Sequence, residues 1–237
     1  MCFTASVTAG MVVAGAAATV VTLRRREPAA IPLALAYFTV MEALQLLGYG
    51  VADACASPAN QTVTLLSYLH IVAQPFFINA LTIALLARPV RWAWRAAAYG
   101  ASALSAVVML LQLYPFTWAG ACEPGTVLCG EALCTITGTW HIGWTIPYNA
   151  LLAPLDVVPG LARGFPTYVI AAFVVPALYG AWRFALFHAL AGPVFAEFLT
   201  GNPNEMPAVW CLFSIGIILI AWSPPLRRLF AGAPRPG

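Results

Sequence analysis

The chain has 237 residues, 62% of them hydrophobic and 8% charged, with a formal net charge of +3. A water-soluble core of this length cannot hide so much apolar surface, so the composition excludes a soluble domain and points to a polytopic membrane protein. No lysine is present, which excludes a lysine Schiff base, and the arginines sit in short groups that read as topology signals, not as a nucleic-acid surface.

A window of about 19 residues finds seven apolar spans, at 5–23, 31–51, 63–87, 93–114, 142–161, 167–189 and 207–224. The expected fold is therefore an all-α transmembrane bundle over residues 1–226, followed by a short tail at 227–237. The fifth span contains Pro147, Pro154, Pro159 and Asp156. It is expected to be kinked, broken or re-entrant, with a six-span protein as the alternative.

Arg24–Arg26 follow the first span, Arg88, Arg91 and Arg95 the third, Arg163 the fifth, and Arg227, Arg228 and Arg235 the seventh. Seven spans put all of these on one side, the cytoplasm by the positive-inside rule, with Arg183 as the exception. The N-terminus then faces outward, and its uncharged start does not resemble a cleavable signal. Loops 52–62, 115–141 and 190–206 lie outside; the last is expected to hold a short interfacial helix ending at Gly201. Cys55, Cys122, Cys129 and Cys134 all fall in these loops. In an oxidising compartment they form two disulfides in one of three pairings; a zinc site lacks a supporting histidine.

Glu42 lies near the middle of the second span, where a carboxylate costs several kcal/mol. At 1.5 Å per residue it is roughly 13 Å below the outer end, with His70 and Asn149 at roughly 10 Å and Arg183 at roughly 9 Å. His141 is at the rim. Glu42, Gln45 and Tyr49 share one helical face, as do His70 and Gln74, while Cys211 falls in the outer half of the last span. These residues are expected to form an outward-open polar cup.

Three readings compete for the cup. It binds a small ligand or metal; it is the site of a membrane oxidoreductase or hydrolase using Glu42, His70 and His141, with a transition metal or a haem between the histidines; or its polar groups are structural and the chain is a subunit of a larger membrane complex. Ligand binding is the reading adopted, with the lipid bilayer as partner and no role for nucleic acid. Elsewhere, His188 is expected at the outer surface, Asp156 to pair with Arg163, Cys2 as an exposed thiol or acylation point, and Asn60-Gln61-Thr62 as a chance glycosylation triplet. The echo of His70–Asn79 in His141–Asn149 suggests a weak parallel repeat.

The segments "MCFTAS", "EALQLL", "HIVAQPFFIN", "GTWHIGWTIPYN" and "GNPNEMPAVWCLFSIG" together resemble uncharacterised bacterial multi-pass membrane proteins that begin Met-Cys-Phe-Ser-Ala. Thr4 stands where serine is usual. The resemblance covers most of the chain and implies a bacterial inner membrane, but no reaction and no functional residues.

Overall fold

The computed structural model describes residues 4–153, 164–212 and 214–230. The first four apolar runs form helices α1 (Ala5–Arg24), α2 (Ala30–Val51), α3 (Pro58–Leu85) and α4 (Trp92–Gln112). Each has 20 residues or more, enough to cross a hydrocarbon layer of roughly 30 Å. Short turns make neighbours antiparallel. α1 meets α2 along a seam of Thr8, Met11, Gly15, Ala18 and Thr22, and a Cβ at Gly15 would collide with Thr39. Small residues allow this backbone approach, which is what drives helix pairing where lipid removes the hydrophobic force.

The fifth run is α5, Pro166–Thr200, the last of five helices among the described residues long and apolar enough to cross a membrane. It is not straight. Gly180 takes φ 109° and ψ 2°, and the chain turns back there. The limb before it follows α3 toward that helix's C-terminus: Tyr168 Oη donates to Gln74 Oε1 at 2.8 Å, Asn79 Nδ2 to Ala171 O at 2.9 Å, and Tyr179 Oη to Asn79 Oδ1 at 3.0 Å. The limb after it starts where Arg183 Nη1 reaches Leu229 O at 3.1 Å and ends beside the opposite end of the bundle. A second break at Gly192 lets Trp210 pack on its backbone, because no Cβ stands in the way. Gly201, at φ 57°, terminates the helix. Helices α6 (Met206–Leu212), α7 (Ser214–Trp222) and α8 (Pro224–Phe230) follow.

The expected fifth span is corrected. Residues 142–153 hold no α-helix; Ile142–Thr145 is strand β2, paired antiparallel with β1 (Cys134–Thr137) in a two-stranded hairpin. The fold is therefore mostly helical but not all-α, and the His70 and His141 segments are a helix and a hairpin, not a repeat. Asp156, Arg163, Cys2 and most of the 227–237 tail lie outside the described residues. The helix expected to end at Gly201 within 190–206 is present, and it continues from the preceding span through residues 190–200.

The hairpin and its flanks form a cap over one end of the bundle. Two disulfides staple it, Cys55–Cys134 and Cys122–Cys129, which selects one of the three possible pairings. Asn60 fastens α3 to the cap: Nδ2 donates to Val51 O at 2.7 Å and Thr135 O at 2.9 Å, and Oδ1 accepts from Thr135 N at 2.9 Å. Asp53 accepts from the Thr137 N–H at 2.8 Å and its hydroxyl at 2.6 Å, and these bonds hold its carboxyl below the usual range. At the other end the arginines gather. Arg227 makes a two-pronged ion pair with Glu27, both contacts at 2.6 Å, which pulls the Glu27 carboxyl down, and Arg25 donates to Trp222 O at 3.0 Å.

Candidate functional site

The α2 face that carries Glu42, Gln45 and Tyr49 packs against α1 and α6. Gln45 Nε2 reaches Ala208 O at 3.5 Å. Cys211, buried and unpaired, lies within the electrostatic reach of Glu42 and beside Gln45. Tyr49 stands between Thr8 of α1, Glu42 below and Glu205 of the cap. The structure brings four of the candidate residues to this face: Glu42, Gln45, Tyr49 and Cys211. The cup they form is not open. Glu42 is 1% exposed and Gln45 fully buried, and above them Thr135 and Ile142 of the cap pack on α2 at Gly48, where a Cβ would crowd both side chains. Neither carboxylate oxygen of Glu42 has a hydrogen-bond partner among the described residues.

The other expected members sit elsewhere. His70 donates Nε2–H to Tyr37 O at 2.7 Å, receives the Tyr37 hydroxyl on its own carbonyl, and stacks on the Tyr37 ring with centroids 3.7 Å apart. Gln74 faces α5 through Tyr168. Asn149 closes the end of α4, donating to Leu111 O at 2.9 Å and Tyr114 O at 2.6 Å. Arg183 is at the arginine end, the reverse of the outer position expected for it, because the chain turns at Gly180. His188, expected on the surface, is buried among Phe173, Phe184 and Trp210.

His141 belongs to the cap. Its ring lies 5.3 Å from that of Tyr49, and Nδ1 accepts the Ile142 N–H at 2.8 Å. Burial holds this imidazole down to about 4. His70 and His141 are thus beside Tyr37 and Tyr49, twelve residues and roughly 18 Å apart along α2. A bis-histidine haem or a shared metal needs both nitrogens within about 2 Å of one metal atom. The residues do not fit either group. Among the described residues, no three His, Cys, Asp or Glu side chains converge to hold a metal ion.

One polar centre has no counterpart among the sequence candidates. Glu205 is fully buried, and its carboxylate accepts the backbone N–H groups of Thr139, Trp140 and His141 and the Thr200 hydroxyl. The neighbouring Asn204 accepts the Trp144 N–H at 2.9 Å and donates to Cys129 O at 3.2 Å. The "GNPNE" turn thus docks on the hairpin as a third segment. Its signal in the sequence was an acid directly before a helix start, where the dipole favours negative charge, after two turn-forming asparagines.

No curated protein and no solved structure matches the chain. A family model described as a family of unknown function, DUF5765, matches residues 6–231. With nearly its whole length matched, the cap and the bundle together, the chain belongs to the DUF5765 family.

Proposed function

We propose that this chain is an integral protein of the bacterial inner membrane, with its cap outside, that binds a small monovalent cation or a proton at an occluded site on Glu42. The observation that carries the site is the pair of buried Glu42 oxygens with no partner among the described residues. A buried, isolated carboxylate costs several kcal/mol, and one positive charge removes that cost. Tyr49 and Cys211 lie within electrostatic reach of Glu42, and Gln45 and Tyr49 supply oxygens on the same helical face. Oxygen donors suit alkali ions better than transition metals, and one carboxylate balances one charge.

In this reading the chain crosses the bilayer seven times, by α1 to α4, the two limbs of α5, and the α6–α7 arm. Disulfides at one end and arginines at the other agree with an oxidising exterior and the positive-inside rule. Leu33, Leu47, Leu104 and Leu178 are each more than half exposed, a surface that suits lipid and not water.

The test is thermal unfolding of purified wild type and Glu42→Gln in sodium, potassium and choline chloride at constant ionic strength, repeated across pH. The wild type should respond to the small cation or to pH where Glu42→Gln does not. Identical responses would remove the site. Orientation is read separately: in spheroplasts an impermeant maleimide should label Thr117→Cys and spare Arg228→Cys, and the reverse result would invert the protein.

A further inference from the structure

At the arginine end the starts of α2 and α4 and the end of α3 leave a cleft of about 360 Å³. We propose that this cleft binds the phosphate headgroup of an anionic phospholipid. Arg88 and Arg95 line it together with Tyr99, so two guanidinium groups and a phenol border one cavity. Guanidinium forks match phosphate oxygens in geometry as well as charge. Glu27, the acidic residue of the adjoining α1–α2 turn, already spends both oxygens on Arg227 and is not a competing partner for the cleft.

The starts of α2 and α4 and the end of α3 meet at the cleft, so dipole ends of both signs are present and the positive field comes from the arginines. The depth is also right for a lipid. Trp92 is 81% exposed, and an exposed tryptophan at a span end marks the headgroup level. On the bundle side the wall becomes apolar at Ala80, Ile83 and Ala84, which continues the site toward the acyl chains. A soluble anion would use only the arginines, whereas a phospholipid uses both walls, and this favours the lipid.

The experiment uses the full chain in zwitterionic phosphatidylcholine nanodiscs, with phosphatidylglycerol added in steps, and native mass spectrometry to count retained lipids. Wild type should retain phosphatidylglycerol over phosphatidylcholine, and Arg88→Gln with Arg95→Gln should bind it about thirtyfold more weakly, taking roughly fivefold per arginine near the surface. Arg24→Gln with Arg25→Gln, at the same end but outside the cleft, should bind as wild type does. Equal losses in the two double variants would reduce the effect to general surface charge and overturn the site. Inorganic phosphate protecting the wild type against thermal unfolding as well as phosphatidylglycerol does would assign the cleft to a soluble anion and overturn the lipid.

Discussion

Glu205 holds His141 in place: the buried carboxylate accepts the backbone N–H of His141 and, along the same loop, those of Trp140 and Thr139. This one side chain joins the hairpin to the start of α6, and α6 carries Cys211 to the Glu42 face. The cap is therefore coupled to α6 through an anionic knot, beside the Asn60 and Asp53 links to α2 and α3. Gly138 is part of it, because a Cβ there would meet the Glu205 carboxyl carbon and the His141 carbonyl.

Glu205→Ala should leave three loop N–H groups and the Thr200 hydroxyl without their acceptor. Hydrogen bonds to a charged group contribute about 1.5–3 kcal/mol each, so a loss of about 4 kcal/mol or more is expected. Gly138→Ala should approach the same loss by expelling the carboxylate. Both are measured by thermal unfolding and by chymotrypsin cleavage within the cap. A Gly138→Ala protein as stable and as resistant as wild type would mean that the loop yields easily and the knot is not rigid.

Acid should loosen the cap through His141. The unfolded imidazole takes its proton near pH 6.5, and the buried one only near 4. Between those values the unfolded chain binds more protons, so stability falls as pH drops, by up to about 3 kcal/mol at the lower limit. Asp53 adds a second loss at lower pH: its depressed carboxyl supports the fold above the ordinary aspartate range and ceases to as pH falls below it. His141→Asn retains an acceptor for the Ile142 N–H and should flatten the slope between pH 6.5 and 4. An unchanged slope in that variant would assign the acid sensitivity to other groups.

The two disulfides should differ in weight. Cys55–Cys134 closes a separation of 79 residues and Cys122–Cys129 one of 7. Loop-closure entropy gives about 4.5 kcal/mol for the first and about 2.5 for the second. Cys55→Ser with Cys134→Ser should therefore lower the unfolding temperature more than Cys122→Ser with Cys129→Ser. The opposite ranking would show that the short bridge shapes the native cap more than it restricts the unfolded chain.

The sequence made the first four helices legible because lipid demands length and apolarity, and both can be counted. The same count failed at 142–161. Ile142, Gly143 and Trp144 are all buried, since the strand is covered by α2 on one side and the "GNPNE" turn on the other, with a Cβ at Gly143 meeting Asn204 O. A strand buried on both faces shows no alternation, and its apolar run looks like a span. Gly180 hid in the opposite way: one glycine inside an apolar run is usually tolerated, so the window passed through the turn that reverses the chain. The common face of Glu42, Gln45 and Tyr49 followed from helical spacing alone. Glu205 did not, because its partners are backbone groups, which every residue supplies and no motif advertises.

Asn60 gives the sharpest test of the cap's seat on the bundle. Its amide is fully buried and makes four bonds, two as donor to Val51 O and Thr135 O and two as acceptor, from Thr135 N and the Thr64 hydroxyl. Aspartate has the same shape but cannot donate, so Asn60→Asp places an anion against two carbonyls with one N–H and one hydroxyl to offset it. Asn60→Ala loses all four bonds but buries no charge. Asn60→Asp should cost more than Asn60→Ala, with the alanine loss at about 4 kcal/mol from four net hydrogen bonds. The burial also means that Asn60-Gln61-Thr62 cannot carry a glycan in the folded protein. Expression through a eukaryotic secretory route should give an unmodified chain of native mass, whereas occupancy at Asn60 with the cap intact would show that this clamp opens.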